Sequence, residues 1–379
     1  MLDGPASRVA ITSCEGYDPA LLSQKIPESL SLVGGLEQFI TPGMKVLLKP
    51  NLLSAKEPHR AITTHPEFIA AVAREVKKLG AHVMVGDSPG GAKRGVKRVW
   101  DNTGMSTMAE REGIELVSFE ASGVVEFKVN GKPYYLAKPA VEADFIISLP
   151  KLKTHVLTLM TGAVKNMFGL IPGFRKGNYH KEAPKPSDFA QIIVDILSLC
   201  PPGLTIMDAI VSMEGDGPSS GKPRQTNLIL ASTDPVAIDT VACEIMGLNP
   251  AKVATITTAC DAGLGIGFIE AIEIVGQRLA DVKIVDFELT SNRKLELIPA
   301  FLAKMIAPYV WVRPAITADI CTKCNTCVNS CPTKALSGSN GEIPRYDYEL
   351  CINCWCCHEL CPSKAVFVDR SWLARKFIR

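Results

Sequence analysis

Two short cysteine runs constrain this 379-residue chain more than anything else in it. From Cys321 it reads C-T-K-C-N-T-C-V-N-S-C-P, and from Cys351 it reads C-I-N-C-W-C-C-H-E-L-C-P. Both runs fit C-x2-C-x2-C-x3-C-P. That spacing lets three thiolates on one tight loop grip three irons of a cubane, while the fourth cysteine, at a helix start, ligates the other cluster. The expected cofactors are therefore two [4Fe-4S] clusters. Cluster I is assigned Cys321, Cys324, Cys327 and Cys361, and cluster II Cys351, Cys354, Cys357 and Cys331. Crossed ligation makes the motifs one folding unit with two pseudo-equivalent halves, and Pro332 and Pro362 fix the chain's exit from each. A pair of zinc sites is the competing reading, because C-x2-C pairs also serve zinc. Eight cysteines with two C-P endings are far more specific to the clusters. Cys356 departs from the pattern: using it in place of Cys357 would change the spacing, so it reads as a non-ligand thiol near cluster II or a packing residue.

Thirteen cysteines without a secretory leader argue for metal or redox chemistry rather than a disulfide framework. Residues 1–16 contain Asp3 and Glu15 and no apolar core of signal-peptide length, so the expected location is cytoplasmic. A formal charge of +2 carries no global signature of nucleic-acid or membrane binding. The most apolar later stretch, 298–312, is broken by Pro299, Lys304 and Pro308 and falls short of the ~20 residues a membrane span needs.

Ahead of the cysteine module, strand-like runs alternate with helical ones, which predicts an α/β fold: a largely parallel sheet with flanking helices. A small α+β ferredoxin-like domain follows at the C-terminus. The expected layout is an α/β domain over 1–292, a connector over 293–313, the ferredoxin domain over 314–370 and a basic tail over 371–379. The clearest unit is a strand at 45–49, a helix from Pro66 to Leu79 capped by Thr64 or His65, and a strand at 82–86. Further strands are expected at 114–119, 144–149, 204–207, 227–231 and 272–275, with a hairpin turn at Asn130-Gly131. Helices are expected from Ser187 to Cys200 and from Pro235 to Met246, the second capped by Asp234.

Unusual polar residues fall at the ends of these strands, where open α/β sheets place their ligand crevice. Lys49 and Asn51 follow one strand, Asp87 and Ser88 the next, Lys151, Lys153 and His155 a third, and Asp208, Glu214 and Asp216 a fourth. From Lys151 to Lys185 there are seven Lys or Arg residues against one acid, Glu182, which reads as a basic loop. One reading of it is an anion site for phosphate or carboxylate with Lys153 and Lys165 as point charges; the other is an ordinary solvated loop. Gly86, Gly90 and Gly91 match no phosphate-binding motif and read first as a turn. Glu214 and Asp216 are candidates for a divalent cation or for proton exchange, or are simple turn residues. His155 is a candidate acid or base.

The cysteine module resembles bacterial-type 8Fe ferredoxins over about residues 314 to 370, which implies one-electron transfer at low potential. Over roughly residues 8 to 290 the chain resembles domain-of-unknown-function family 362. The resemblance rests on V-L-L-K-P-N at 46–51, T-H-P at 64–66, V-G-D-S-P at 85–89, L-P-K-L-K-T-H at 149–155, T-G-A-V-K-N at 161–166, M-E-G-D-G-P at 213–218 and S-T-D-P-V-A-I-D at 232–239. Members of that family often carry a C-terminal 8Fe ferredoxin, but membership brings no single reaction.

The leading expectation is a redox enzyme acting on an anionic small molecule. Lys49, Asn51, Lys153, Lys165 and Asn166 would hold the substrate, and Asp87, His155, Glu214 or Asp216 would move protons. A redox partner protein is expected. One alternative is an electron carrier or maturation factor that docks a partner, with a shallow crevice and clusters near the surface. Another is a non-redox enzyme with structural or oxygen-sensing clusters far from its crevice.

Overall fold

The computed structural model describes residues 7–90, 95–173, 175–183, 185–290, 312–339 and 341–372. Gly91, most of the connector and most of the tail lie outside the described residues.

The α/β domain is built on a ten-stranded sheet. Its strands are β1 (Ser7–Ser13), β2 (Lys45–Pro50), β3 (His82–Asp87) and β4 (Glu115–Ser118), then β7 to β12 after the hairpin β5 (Val124–Val129) and β6 (Lys132–Ala137). The later six are β7 (Phe145–Leu149), β8 (Lys151–His155), β9 (Leu159–Thr161), β10 (Leu204–Glu214), β11 (Lys222–Ser232) and β12 (Ile272–Gly276). The main order is β12-β1-β11-β10-β7-β2-β3-β4, with β8 pairing β10 and β9. The run β10-β7-β2-β3-β4 is parallel throughout, and β11 enters antiparallel to both neighbours.

Strand alternation divides the apolar side chains between two layers. Val46 and Leu48 point into one core with Ile147 and Leu149, while Leu47 points into the other with Ile146. The helix Pro66–Lys78 covers the first face and the helices Pro186–Leu199 and Pro235–Met246 the second. Asp234 caps the last of these, accepting from the Val236 and Ala237 amides. His65, rather than Thr64, caps the helix Pro66–Lys78; Thr64 Oγ1 donates instead to Leu149 O. Both turn residues of the β5–β6 hairpin, Asn130 and Gly131, have positive φ, as a tight right-twisted hairpin requires.

Two expectations change. Lys151–His155 is not loop but β8, buried along its whole length, and the rest of the basic stretch forms β9 and the helices Ala163–Asn166 and Arg175–Glu182. Basic side chains on a buried strand look like loop to a composition argument; here cross-strand pairing and internal partners hold them. The strand expected at 204–207 runs on to Glu214, because β10 pairs first with β7 and then, beyond Pro150, with β8.

In the ferredoxin module, β13 (Val312–Ile316) pairs antiparallel with β16 (Val366–Arg370), and β14 (Leu336–Ser337) with β15 (Arg345–Tyr346). The helices Thr326–Ser330 and Cys356–Leu360 follow the two cysteine loops and end at Cys331 and Cys361, so the fourth cysteine of each motif closes a helix and does not start one. Left-handed backbone recurs in register between the halves: Lys323 and Asn353, Asn325 and Trp355, Lys334 and Lys364 all have positive φ. The internal two-fold expected from the motifs is thus written in the backbone. No helix among the described residues is long and apolar enough to cross a membrane.

Candidate functional site

The carboxyl ends of β2, β3, β7 and β8 deliver a connected polar floor. Lys49, fully buried, donates to Asp87 Oδ1 at 2.7 Å, and Asp87 Oδ2 accepts from Leu52 N at 2.7 Å. Asn166 Oδ1 accepts from Lys49 Nζ and from Asn51 Nδ2, each at 3.3 Å, while its amide donates to Lys49 O and Ser148 Oγ. Asn51 Oδ1 in turn accepts from Lys153 Nζ at 2.7 Å, and Lys153 also donates to Ile62 O. The backbone closes tightly over this network. A Cβ on Gly169 would lie 2.0 Å from Asp87 Oδ1 and 2.5 Å from Lys49 Nζ, so only glycine fits.

Lys165 and Asn166 ride on the short helix Ala163–Asn166, whose N-terminus is capped from another element. Asp239 Oδ1 accepts from Ala163 N at 2.6 Å and Oδ2 from Val164 N at 3.0 Å. Burial pushes the Asp239 carboxyl up to about 7, against the pull of those two amides. Asp239 is thus a positioning residue that a list of strand-end polar groups does not reveal, because it lies mid-helix in Pro235–Met246.

Above this floor is a cavity of about 820 Å³ at the seam between the two domains. Asn51, Asp87, Lys153, His155, Lys165 and Asn166 line it from the α/β side. Cys331, Cys356, Glu359, Leu360 and Cys361 line it from the ferredoxin side. Lys49 does not reach the cavity; its ammonium is spent on Asp87, Asn166 and Pro50 O. Glu214 and Asp216 are also outside it: Glu214 Oε2 accepts from Glu288 N, and Asp216 meets Arg370 at 3.1 Å. Among the described residues, no three His, Cys, Asp or Glu side chains are gathered as a single metal ion would require.

Several groups facing the cavity are electrostatically primed. Burial, with Lys165 nearby, lowers the Lys153 ammonium to about 7. Lys165 is lowered by burial against the pull of Glu359, and has no hydrogen-bond partner among the described residues. His155 Nδ1 accepts from the Leu157 and Thr158 amides, so the proton of the neutral ring sits on Nε2, 3.0 Å from Glu359 Oε1. Burial lowers His155 to about 3, which keeps it uncharged at neutral pH. Burial alone would raise Glu359, but His155, Lys165 and His180 outweigh it and hold the carboxyl far below its usual range. Glu120 Oε2 and His180 Nδ1, both from cavity-lining residues, are buried without a partner among the described residues. Buried polar atoms left so are costly unless a ligand or water completes them.

The cysteines are arranged to suit iron–sulfur clusters. Cys321, Cys324, Cys327 and Cys361 line one small cavity of their own, and Cys351 lies within electrostatic reach of Cys354 and Cys331. Pseudo-equivalent amides point at sulfur, Ala335 N at Cys331 Sγ and Ala365 N at Cys361 Sγ, both at 3.2 Å. Tyr346 Oη donates to Cys357 Sγ at 3.2 Å. Cys356 contacts Cys354 and faces the seam cavity.

Comparison with known proteins gives two family matches: "Domain of unknown function (DUF362)" over residues 46–244 and "4Fe-4S dicluster domain" over residues 313–362. A Synechocystis sp. protein named "Thylakoid-associated protein sll1697" is 37% identical over 258 residues, covering 68% of this chain and 79% of that protein. Among solved structures, the lactate racemase apoprotein from Thermoanaerobacterium thermosaccharolyticum aligns with a TM-score of 0.43 at 13% identity. That alignment covers 64% of this chain, which spans 57% of the other's length.

Proposed function

From the premise that this chain belongs to the DUF362 family and carries a 4Fe-4S dicluster domain, we propose that it exchanges low-potential electrons with an anionic small molecule bound at the domain seam. One observation carries the reading: Lys153, Lys165 and Asn166 line the same cavity as Cys331 and Cys361. Two [4Fe-4S] clusters held by the eight motif cysteines would supply single electrons there.

The chain's own residues bind and orient. Lys165, an ammonium without a hydrogen-bond partner among the described residues, is the natural counter-ion for a phosphate or carboxylate. Lys153, fixed by Asn51 and Ile62 O, adds a second charge. Lys49 and Asp87 serve as a buried strut beneath them. His155 lies with Nε2 3.0 Å from Glu359 Oε1, close enough to position that carboxylate against the cavity although the two atoms are not aligned as a hydrogen bond. Proton exchange then falls to Lys153, since Glu359 is held ionised, Asp87 is doubly bonded and Glu214 and Asp216 lie elsewhere.

The volume of the cavity, about 820 Å³, speaks against a carrier with only a shallow docking crevice. The presence of Cys331 and Cys361 in its lining speaks against clusters remote from the crevice. An anaerobic thermal-shift screen of phosphorylated and carboxylated metabolites tests the proposal on wild type, Lys153→Ala and Lys165→Met. Ligands of the native state raise its apparent stability. Stabilisation in wild type that both variants lose is expected; a panel to which wild type gives no response would overturn the reading.

A further inference from the structure

The mouth of the seam carries more positive charge than the neighbouring carboxylate Glu57 can neutralise. Lys56 lies within electrostatic reach of Arg60, Arg98, Cys361 and one carboxylate, Glu57, and Lys364 within reach of Arg60 and Lys56. Lys56 Nζ donates to Pro362 O, pinning the group across the seam beside the residue that follows Cys361. Among the described residues no carboxylate pairs with Arg60, Arg98 or Lys364. Like charges held together repel one another and weaken the fold, so folding alone does not account for them. The opposite half of the module is the more acidic one ahead of its first cysteine, with Asp347 and Glu349 exposed before Cys351 beside a single Arg345, where the first half has only Asp319 before Cys321.

We infer that Lys56, Arg60, Arg98 and Lys364 form a docking surface for an acidic electron-carrier protein. This rests on the electron-transfer reading above and gives it an address. Complementary potential steers encounter and fixes orientation more than it adds contact energy. A carrier drawn to this patch is seated over Cys361, whereas the acidic flank near Cys351 repels it. The patch thus selects which half of a pseudo-symmetric module the partner meets.

The test is binding rather than turnover. The probe is an acidic ferredoxin, titrated anaerobically onto the iron-loaded full chain across salt from about 50 to about 500 mM. Affinity is expected to fall at least about tenfold over that series. The double substitution Arg60→Glu with Lys364→Glu, at residues outside the cavity, is expected to weaken low-salt binding by about tenfold or more at unchanged iron content. If that variant loads iron poorly, Arg60→Gln with Lys364→Gln replaces it, with a smaller loss in the same direction. Salt-insensitive binding, equal binding by the variants, or binding of wild type to anionic lipid vesicles but not to the ferredoxin would overturn the inference. Thermal stabilisation by small anions, read on the same samples, reports the cavity separately. If it persists while the ferredoxin fails to bind, the docking surface is wrong and the cavity reading stands.

Discussion

His155 and Glu359 meet across the domain seam with Nε2 3.0 Å from Oε1, and the two amides on Nδ1 leave the imidazole only that nitrogen to carry a proton. The pair joins β8 to the helix Cys356–Leu360 and so ties sheet to iron–sulfur module. Removing one partner of a buried polar pair leaves the other unsatisfied. Glu359→Ala should destabilise the iron-loaded protein by about 3 kcal/mol, with Glu359→Gln milder. Thermal unfolding under anaerobic conditions measures this, and an alanine variant as stable as wild type would remove the pair from any role in holding the seam.

Lys153 gives anion binding a pH dependence. Its ammonium is depressed to about 7 in the free protein, and a bound anion favours the charged form. Above that pH, binding must take up a proton, so affinity should fall by up to about tenfold per pH unit. Calorimetry in two buffers of different ionisation enthalpy reads the uptake directly, and Lys153→Gln should abolish it. The ligand-free protein behaves oppositely. Between about 7 and the ordinary lysine value the unfolded chain holds the extra proton, so this residue's cost to stability diminishes as pH rises through that window.

Asp239 should matter to the cavity without touching it. Asp239→Asn keeps one acceptor for the amides of Ala163 and Val164 but sets an N–H against the other, costing about 1–2 kcal/mol. The same substitution should weaken anion affinity, because Lys165 rides on the helix it caps. Unchanged anion affinity in a measurably destabilised variant would confine Asp239 to folding.

Gly169→Ala drives a methyl into the Lys49–Asp87 pair and is expected to cost about 3 kcal/mol or more. Gly16→Ala, where nothing lies within 4 Å of an added Cβ, is the matched control and should cost under about 0.5 kcal/mol. Comparable stabilities for the two would contradict the close packing beneath the site.

Tyr346 distinguishes the two halves. Its hydroxyl donates to Cys357 Sγ, whereas the pseudo-equivalent position is Ile316, which has no donor. Hydrogen bonds to cluster sulfur favour the reduced state. In an EPR-monitored redox titration, Tyr346→Phe should lower one of the two potentials and leave the other in place; movement of both, or of neither, would refute the asymmetry.

Much of this was readable from residues alone. The strand at 45–49, the helix after Thr64, the helix from Pro235 and its Asp234 cap follow from alternation, proline placement and capping chemistry, and local signals of that kind survive folding. The eight motif cysteines stand out for a different reason: a spacing of that kind is what an iron–sulfur cluster demands of its ligands. β8 escaped, because Lys151 and Lys153 find their partners in Asp208, Asn51 and Ile62 O, all distant in sequence. The internal role of Lys49 is hidden for the same reason, since its contact with Asp87 spans 38 positions. Glu359 stood in plain view inside C-C-H-E-L-C, but a cysteine pattern draws attention to its ligands. Only the docking of one domain on the other turns the intervening carboxylate toward the crevice.

The helix Cys356–Leu360 and the cysteines flanking it serve two structures at once: Cys357 and Cys361 belong to the cluster motifs, while Cys356, Glu359 and Leu360 wall the cavity. The pocket is consequently a lock with two keys. Under the proposed reading, a chain stripped of its iron by oxygen should lose the organised wall along with its electrons, and with that wall its hold on the molecule it would otherwise reduce or oxidise.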